Sequence, residues 1–154
     1  MPYKMINVED YQKLAKSTLP KVIYDYLEGG ADDEKGLHHN RQVFDQWRFK
    51  PQRLVDISER DISCQLFNRL WSAPFAIAPT GLNGSFWPKG DALLAKSAAK
   101  ADIPFMLSTA SNMSIEEVAR SSDGEKWFQL YVVHQELAKQ MVQRALDSGY
   151  TTLI

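Results

Sequence analysis

The sequence predicts an α/β fold with parallel strands: the N-terminal part of a (β/α)8 TIM barrel, preceded by a helical N-terminal segment. Three observations lead there. An apolar run from Phe75 to Ala78 meets Pro79 and enters the polar loop Thr80-Gly81-Leu82-Asn83-Gly84. The same order of strand, loop and helix recurs twice, with strands expected over 105–108 and 127–132. Helices are expected after each strand, over 90–101, 114–120 and 135–148. Strand–helix alternation at this spacing needs crossover connections, and crossovers make strands parallel. An open doubly wound sheet would carry Gly-x-Gly-x-x-Gly after its first strand. Gly81-x-x-Gly84 does not match that fingerprint, so the closed barrel is the better reading.

A complete barrel takes about 250 residues. The 154 residues here hold three units. Thr151-Thr152-Leu153-Ile154 reads as a fourth strand just beginning. The expectation is an incomplete domain from a longer protein, with a helical segment and connector over 1–72 and the barrel units over 73–154.

Before the repeats, Asn7 is placed to cap a first helix, with Asp10 three residues on. Val8, Tyr11, Leu14 and Ala15 give that helix an apolar stripe. Pro20 marks the start of a second helix and Gly29-Gly30 its end. A third is expected over 32–44, with Asp32, Asp33 and Glu34 in its first turn, suited to the helix dipole. From Trp47 to Ser72 the pattern is irregular, with a hairpin expected around Phe67-Asn68. Further on, Ser114 with Glu117 forms a capping box, and Gly149 is placed to end the last helix.

Composition narrows the function classes. The chain is 44% hydrophobic and 24% charged, with a net charge of −1. A nucleic-acid surface would need a basic stripe, so none is expected. The single cysteine, Cys64, excludes an internal disulfide and fits a reducing compartment. His38 and His39 are adjacent and His134 stands alone, so no metal site is expected.

Side chains alternate faces along a strand. Gln129 and Tyr131 therefore share one face, while Phe128, Leu130 and Val132 share the other and are expected to meet the helices. The inward sets of the other two strands are Met106, Ser108 and Ala110, and Ala76, Ala78 and Thr80. Thr80, Ser108, Gln129 and Tyr131 thus converge on one mouth, beside small Gly81 and Ala110. Barrels place active sites at that end. An uncharged rim of donors and acceptors suits a neutral polar ring edge, such as a flavin's. Outside the repeats, Tyr24 and Tyr26 are candidates to lean over the mouth, and spacing does not choose between them.

At these residues the chain resembles a known family. Tyr24-Asp25-Tyr26-Leu27-Glu28-Gly29-Gly30-Ala31, Ala78-Pro79-Thr80-Gly81, Leu107-Ser108-Thr109 and Phe128-Gln129-Leu130-Tyr131-Val132 look like the FMN-dependent 2-hydroxy-acid oxidases and dehydrogenases. The loops beginning at Pro79 and Ser108 look most like the mandelate-oxidising branch. The resemblance implies FMN at the barrel mouth, with the backbone of Pro79, Thr80 and Gly81 against the flavin and Ser108 and Gln129 bonded to its pyrimidine side. Tyr26 is similar to the family's substrate-carboxylate ligand. Tyr131 is similar to the tyrosine that bonds the substrate and stabilises developing charge.

The reaction implied is oxidation of an (S)-2-hydroxy acid, mandelate foremost, to the 2-oxo acid, with electrons passed from FMN to a quinone or oxygen. The family's catalytic histidine, carboxylate-binding arginine and phosphate site belong to later barrel units, so this chain alone is expected to be inactive. Gly81 stands where glycolate oxidases have alanine, and Ala110 where they have a bulky aromatic; both enlarge the substrate space. A homo-tetramer is implied, in the cytoplasm or at the inner face of a bacterial membrane, with membrane contact through a segment beyond Ile154. The alternatives are a lactate- or glycolate-type oxidase, and a noncatalytic half-barrel that works by association.

Overall fold

The structure, a computed structural model, describes residues 5–154. It divides by internal contacts into two units, Met1–Glu59 and Arg60–Ile154.

The first unit is helical. Helix α1 (Val8–Thr18) is capped by Asn7, whose side chain accepts the Asp10 N–H at 2.9 Å. Asp10 reaches back to the Ile6 N–H at 3.1 Å, one residue before the cap. Helix α2 (Lys21–Glu28) starts after Pro20 and stops at Gly29, as proline and glycine dictate. Helix α3 (Lys35–Gln42) is shorter than expected and passes into a 3-10 turn, Val43–Gln46. Asp32 and Glu34 have φ values of 48° and 58°. Left-handed residues cannot form a helical first turn, so the three acids precede the helix rather than open it. Arg41 ties α3 to α1 through Glu9 at 2.8 Å.

The second unit begins with a hairpin. Strands β1 (Cys64–Leu66) and β2 (Arg69–Trp71) pair antiparallel across Phe67 and Asn68, both at positive φ. Such a pair matches the right-handed strand twist. The hairpin, grouped on sequence with the helices, packs instead with the sheet. Trp127 meets Phe67 and Trp71 edge-on, at ring-centroid distances of 5.4 Å and 6.2 Å. Arg69 stacks on Trp71 and bonds both Asp102 and Glu125.

Three strands then form a parallel sheet: β3 (Phe105–Ser108), β4 (Lys126–Gln129) and β5 (Thr152–Leu153). The strand expected over 75–78 is reduced to one parallel bridge, Ile77 to Phe105. Pro74 and Pro79 bracket it and lack N–H donors. What remains is Ile77 N–H to Pro104 O and Met106 N–H to Ile77 O, at 3.0 and 3.1 Å. Spatial order follows sequence order from Ile77 through β3 and β4 to β5, with no reversal. The strand expected over 127–132 ends at Gln129, and Val132 is 70% exposed instead of meeting a helix.

Between the strands lie α4 (Asn83–Phe86), α5 (Gly90–Lys100), α6 (Ile115–Ser121) and α7 (Gln135–Asp147). The short α4 was not expected. Alternation sends Phe105, Leu107 and Phe128 to the helix side, against Ala95, Ala98, Ile115, Val118, Ala145 and Tyr150. Each such large side chain contributes about 1.5–3 kcal/mol by burial. The capping box at Ser114 and Glu117 is complete, and Gly149 ends the α7 turn at φ 80°. Lys126, the first β4 residue, is buried, with Nζ donating to Ser122 O and Gly124 O at 2.8 and 2.6 Å. Burial pushes its pKa down. Burial likewise pushes up the Tyr150 phenol, which donates to Ile115 O at 3.0 Å.

A Cβ placed on Gly124 would lie 2.4 Å from Ala99 Cβ and 2.9 Å from Ala99 Cα. Gly124→Ala is expected to cost about 1–3 kcal/mol through this overlap. An unchanged denaturant midpoint would contradict it.

Arg144 bonds both carboxyl oxygens of Glu116, at 2.7 and 2.8 Å, joining α7 to α6. That bond holds the Glu116 carboxyl at about 2, below its ordinary 4.5. The contribution of a depressed carboxyl is present above the unfolded value and is lost as pH falls through the folded one. The expected window for loss is therefore from 4.5 down to about 2. An NMR titration of the Glu116 carboxyl checks it, and a midpoint near 4.5 would refute it.

Candidate active site

The parallel register sets Ser108 opposite Gln129. Phe128 and Leu107 are committed to the helix side, so Ser108 and Gln129 take the opposite face. Trp127 occupies the start of that face under the hairpin, and Gln129 its C-terminal end. Ser108 Oγ donates to Gln129 Oε1 at 3.2 Å and accepts the Ala110 N–H at 3.1 Å. The Thr109 N–H donates to Gln129 O at 3.0 Å and, more weakly, to Gln129 Oε1 at 3.4 Å. Thr109 Oγ1 donates to Gln129 O at 2.5 Å and accepts the Tyr131 N–H at 3.1 Å.

The Gln129 side-chain oxygen is thus occupied, while its Nε2 has no acceptor among the described residues. An amide oriented by its oxygen presents its two N–H donors elsewhere.

The loop after Ile77 is drawn to the loop after β3. The Leu82 N–H donates to Ala110 O at 3.0 Å, and the Gly84 N–H to Asn112 Oδ1 at 2.9 Å. Pro79 and Gly81 are half-buried and Thr80 is exposed. Among the described residues, neither the Thr80 nor the Gly81 N–H has a protein acceptor. Leu82 holds φ 57°, a left-handed conformation uncommon for a leucine. Such residues cluster at ligand-binding loops.

Of the expected residues, the structure brings Ser108 and Gln129 into direct contact, and sets Ala110 and Tyr131 immediately beside them through Ser108 and Thr109. Tyr131 is 61% exposed. Thr80 enters through its carbonyl, which accepts from Asn83 Nδ2 at 3.2 Å. Tyr26 lies on α2 in the first unit and is 54% exposed. Tyr24 is half-buried and lines a groove of about 910 Å³ among α1, α2 and α3, which Gln12 and Glu28 also line. Desolvation, then the Glu28 charge, raises its pKa. The two tyrosines thus differ in burial.

Sequence reasoning missed Asp91. It is 0% exposed, and accepts from Asn83 Nδ2 at 2.7 Å and Ser111 Oγ at 2.6 Å. The available signal was an acid opening an alanine-rich helix just after the loop. It missed Asn112 as well, since a tie between loops 28 residues apart has no local pattern.

The FMN-dependent dehydrogenase family profile matches residues 15–154. The chain belongs to this family. It is 60% identical to the (S)-mandelate dehydrogenase of Pseudomonas putida over all 154 residues, which are 39% of that protein. A peroxisomal (S)-2-hydroxyacid oxidase of Arabidopsis thaliana is 38% identical over 98% of the chain and 42% of its own length. The chain therefore spans about two fifths of the curated relatives it matches. A crystal structure of the monotopic membrane protein (S)-mandelate dehydrogenase superposes with a TM-score of 0.91 at 61% identity, over 97% of this chain and 40% of that one. The resemblance read in the motifs is thereby borne out at the level of the family and of its mandelate-oxidising branch.

Thr109→Val would leave Gln129 O and the Tyr131 N–H without their hydroxyl partner. The expected cost is about 1–3 kcal/mol. Amide exchange at Tyr131 should quicken while that of Phe128 holds. Unchanged Tyr131 exchange would show that the hydroxyl does not hold this strand end.

Proposed function

We propose that this chain forms one wall of an FMN site in a (β/α)8-barrel enzyme that oxidises an (S)-2-hydroxy acid, with mandelate the preferred substrate. The observation that carries the reading is Gln129, whose oxygen is tied down by Ser108 and Thr109 while its Nε2 stays available. The donor set fits the cofactor. Gln129 Nε2 suits a pyrimidine carbonyl, and the Thr80 and Gly81 N–H groups suit ring nitrogen or oxygen at the other edge. Monotonic strand order supports a barrel, since a doubly wound sheet reverses direction beside its first strand.

When bound, FMN would accept the two electrons released as the substrate hydroxyl becomes a carbonyl. This chain's residues would bind and orient. Pro79, Thr80, Gly81, Ser108 and Gln129 hold the cofactor. Tyr26 takes the substrate carboxylate. Tyr131 aims its phenol at the charge developing on the substrate oxygen, an electrostatic preorganisation. The base that removes the hydroxyl proton is not assigned to His134. That residue precedes α7 as its N-cap, and the family motif places no base there.

Gly81 and Ala110 leave the substrate side open to an aromatic group. The 60% identity to the dehydrogenase favours that reading over the oxidase reading, since the Arabidopsis thaliana oxidase is 38% identical. Electrons would then leave to a quinone. No helix among the described residues is long and apolar enough to cross a membrane. Peripheral membrane attachment fits the monotopic relative; the inner face of a bacterial membrane and a homo-tetramer complete the proposal.

The test is the full-length protein. It should carry a flavin spectrum that bleaches with (S)-mandelate, and turn over mandelate faster than glycolate. A preference for glycolate would refute the substrate assignment. Ala110→Trp should lower turnover of mandelate more than that of small 2-hydroxy acids, and equal losses would refute the role of Ala110.

A further inference from the structure

Asp91 is fully buried in the first turn of α5. A buried carboxylate persists only where donors satisfy it, and a helix N-terminus favours its charge. Its two oxygens serve different loops. Oδ1 accepts from Asn83, the first residue of α4 at the end of the loop after Ile77, and Oδ2 from Ser111, in the loop after β3. Each donor makes a second bond inside its own loop. Asn83 Nδ2 also donates to Thr80 O at 3.2 Å, and Ser111 Oγ accepts the Met113 N–H at 2.9 Å.

The loops also meet directly, through Leu82 with Ala110 and Gly84 with Asn112. A Cβ on Gly84 would lie 3.0 Å from Asn112 Cβ, so the approach leaves little room for a side chain there. Asp91 is bonded to both sides of this seam from α5.

We infer that Asp91 is a positioning residue that locks the loop over 79–84 and the loop over 109–113 into one rigid wall, holding the Thr80 and Gly81 N–H groups at a set spacing from Gln129. The inference rests on the FMN reading above. Without the lock, the cofactor itself must order the first loop, and ordering subtracts from affinity. Loss of the lock therefore changes cofactor affinity and environment beyond any change in stability.

The experiment uses the full-length protein with three readouts: the FMN dissociation constant from flavin fluorescence, visible circular dichroism of bound flavin, and the melting temperature of the apoprotein. Asn83→Ala and Ser111→Ala each remove one donor to Asp91. Ser122→Ala is the matched control, because Ser122 is a buried hydroxyl that donates to Ala95 O on the same helix and accepts the Gly124 N–H, with no hydrogen bond to either loop. Asp91→Asn keeps the shape and one acceptor.

Asn83→Ala and Ser111→Ala are expected to weaken FMN binding roughly tenfold each and to alter the visible dichroism. Asp91→Asn should fall between them and wild type. Ser122→Ala should lower the melting temperature with affinity and dichroism unchanged. If Asn83→Ala does not fold, Ser111→Ala decides, since Ser111 is only half-buried. Unchanged affinity and dichroism in the loop variants, with melting losses like that of Ser122→Ala, would overturn the lock and leave the FMN reading standing. A wild-type protein that takes up no FMN would overturn both.

Discussion

The structure of the second unit turns on the register between β3 and β4. Side chains alternate with a period of two, so a slip of one residue exchanges the faces. With Leu107 opposite Phe128, both large apolar groups reach the helices and Ser108 meets Gln129 on the other side. The slipped alternative would bury an amide among Ala95, Val118 and Ala145, and expose Phe128. An unpaired buried amide costs several kcal/mol on top of the lost apolar burial. The packing that stabilises the fold and the contact that shapes the candidate site are thus one choice of register.

The site face is finished differently at its two ends. At the N-terminal end the hairpin closes over Trp127 with Phe67 and Trp71, an apolar seal held by Arg69 to Asp102 and Glu125. At the C-terminal end hydroxyls and backbone amides remain, bonded to one another through Gln129. Apolar rings cover one end while hydrogen-bonding capacity is left at the other. That asymmetry along β4 fits a ligand approaching from the C-terminal side, the arrangement expected of parallel barrels.

Much of this was legible in the sequence because its causes are local. Ser114 with Glu117, Asn7 before α1 and Gly149 after α7 each act within a few residues, and each is where its chemistry requires. The pairing of Ser108 with Gln129 was legible at one remove, through strand alternation. Features with distant causes were not. Asp91 reads as an ordinary helix-opening acid until Asn83 and Ser111 are folded against it. Asp32 and Glu34 look like a helical first turn, yet their backbones are left-handed, a choice that residue type does not reveal. The strand at Ile77 shrinks because Pro74 and Pro79 deny it donors, although its apolar run looked sufficient.

The chemistry of the strand-end cluster also bounds what it does alone. Ser108, Thr109 and Gln129 are neutral, and their bonds are made to one another and to backbone. Neutral donors and acceptors discriminate the edge of a polar ring well. They bind anions weakly beside a guanidinium, which offers a charge and a planar fork. A 2-hydroxy acid carries a carboxylate and FMN a phosphate, so each brings an anion that these side chains do not neutralise. Under the proposed function, the cluster would orient the flavin ring and the reacting carbon, with anion recognition left to other groups. Tyrosines fit between the two tasks, since a phenol donates to an anion without the desolvation cost of a cation. Tyr131 is exposed and fastened at its backbone to Thr109, beside the neutral cluster, and under the proposed function its phenol would meet that charge.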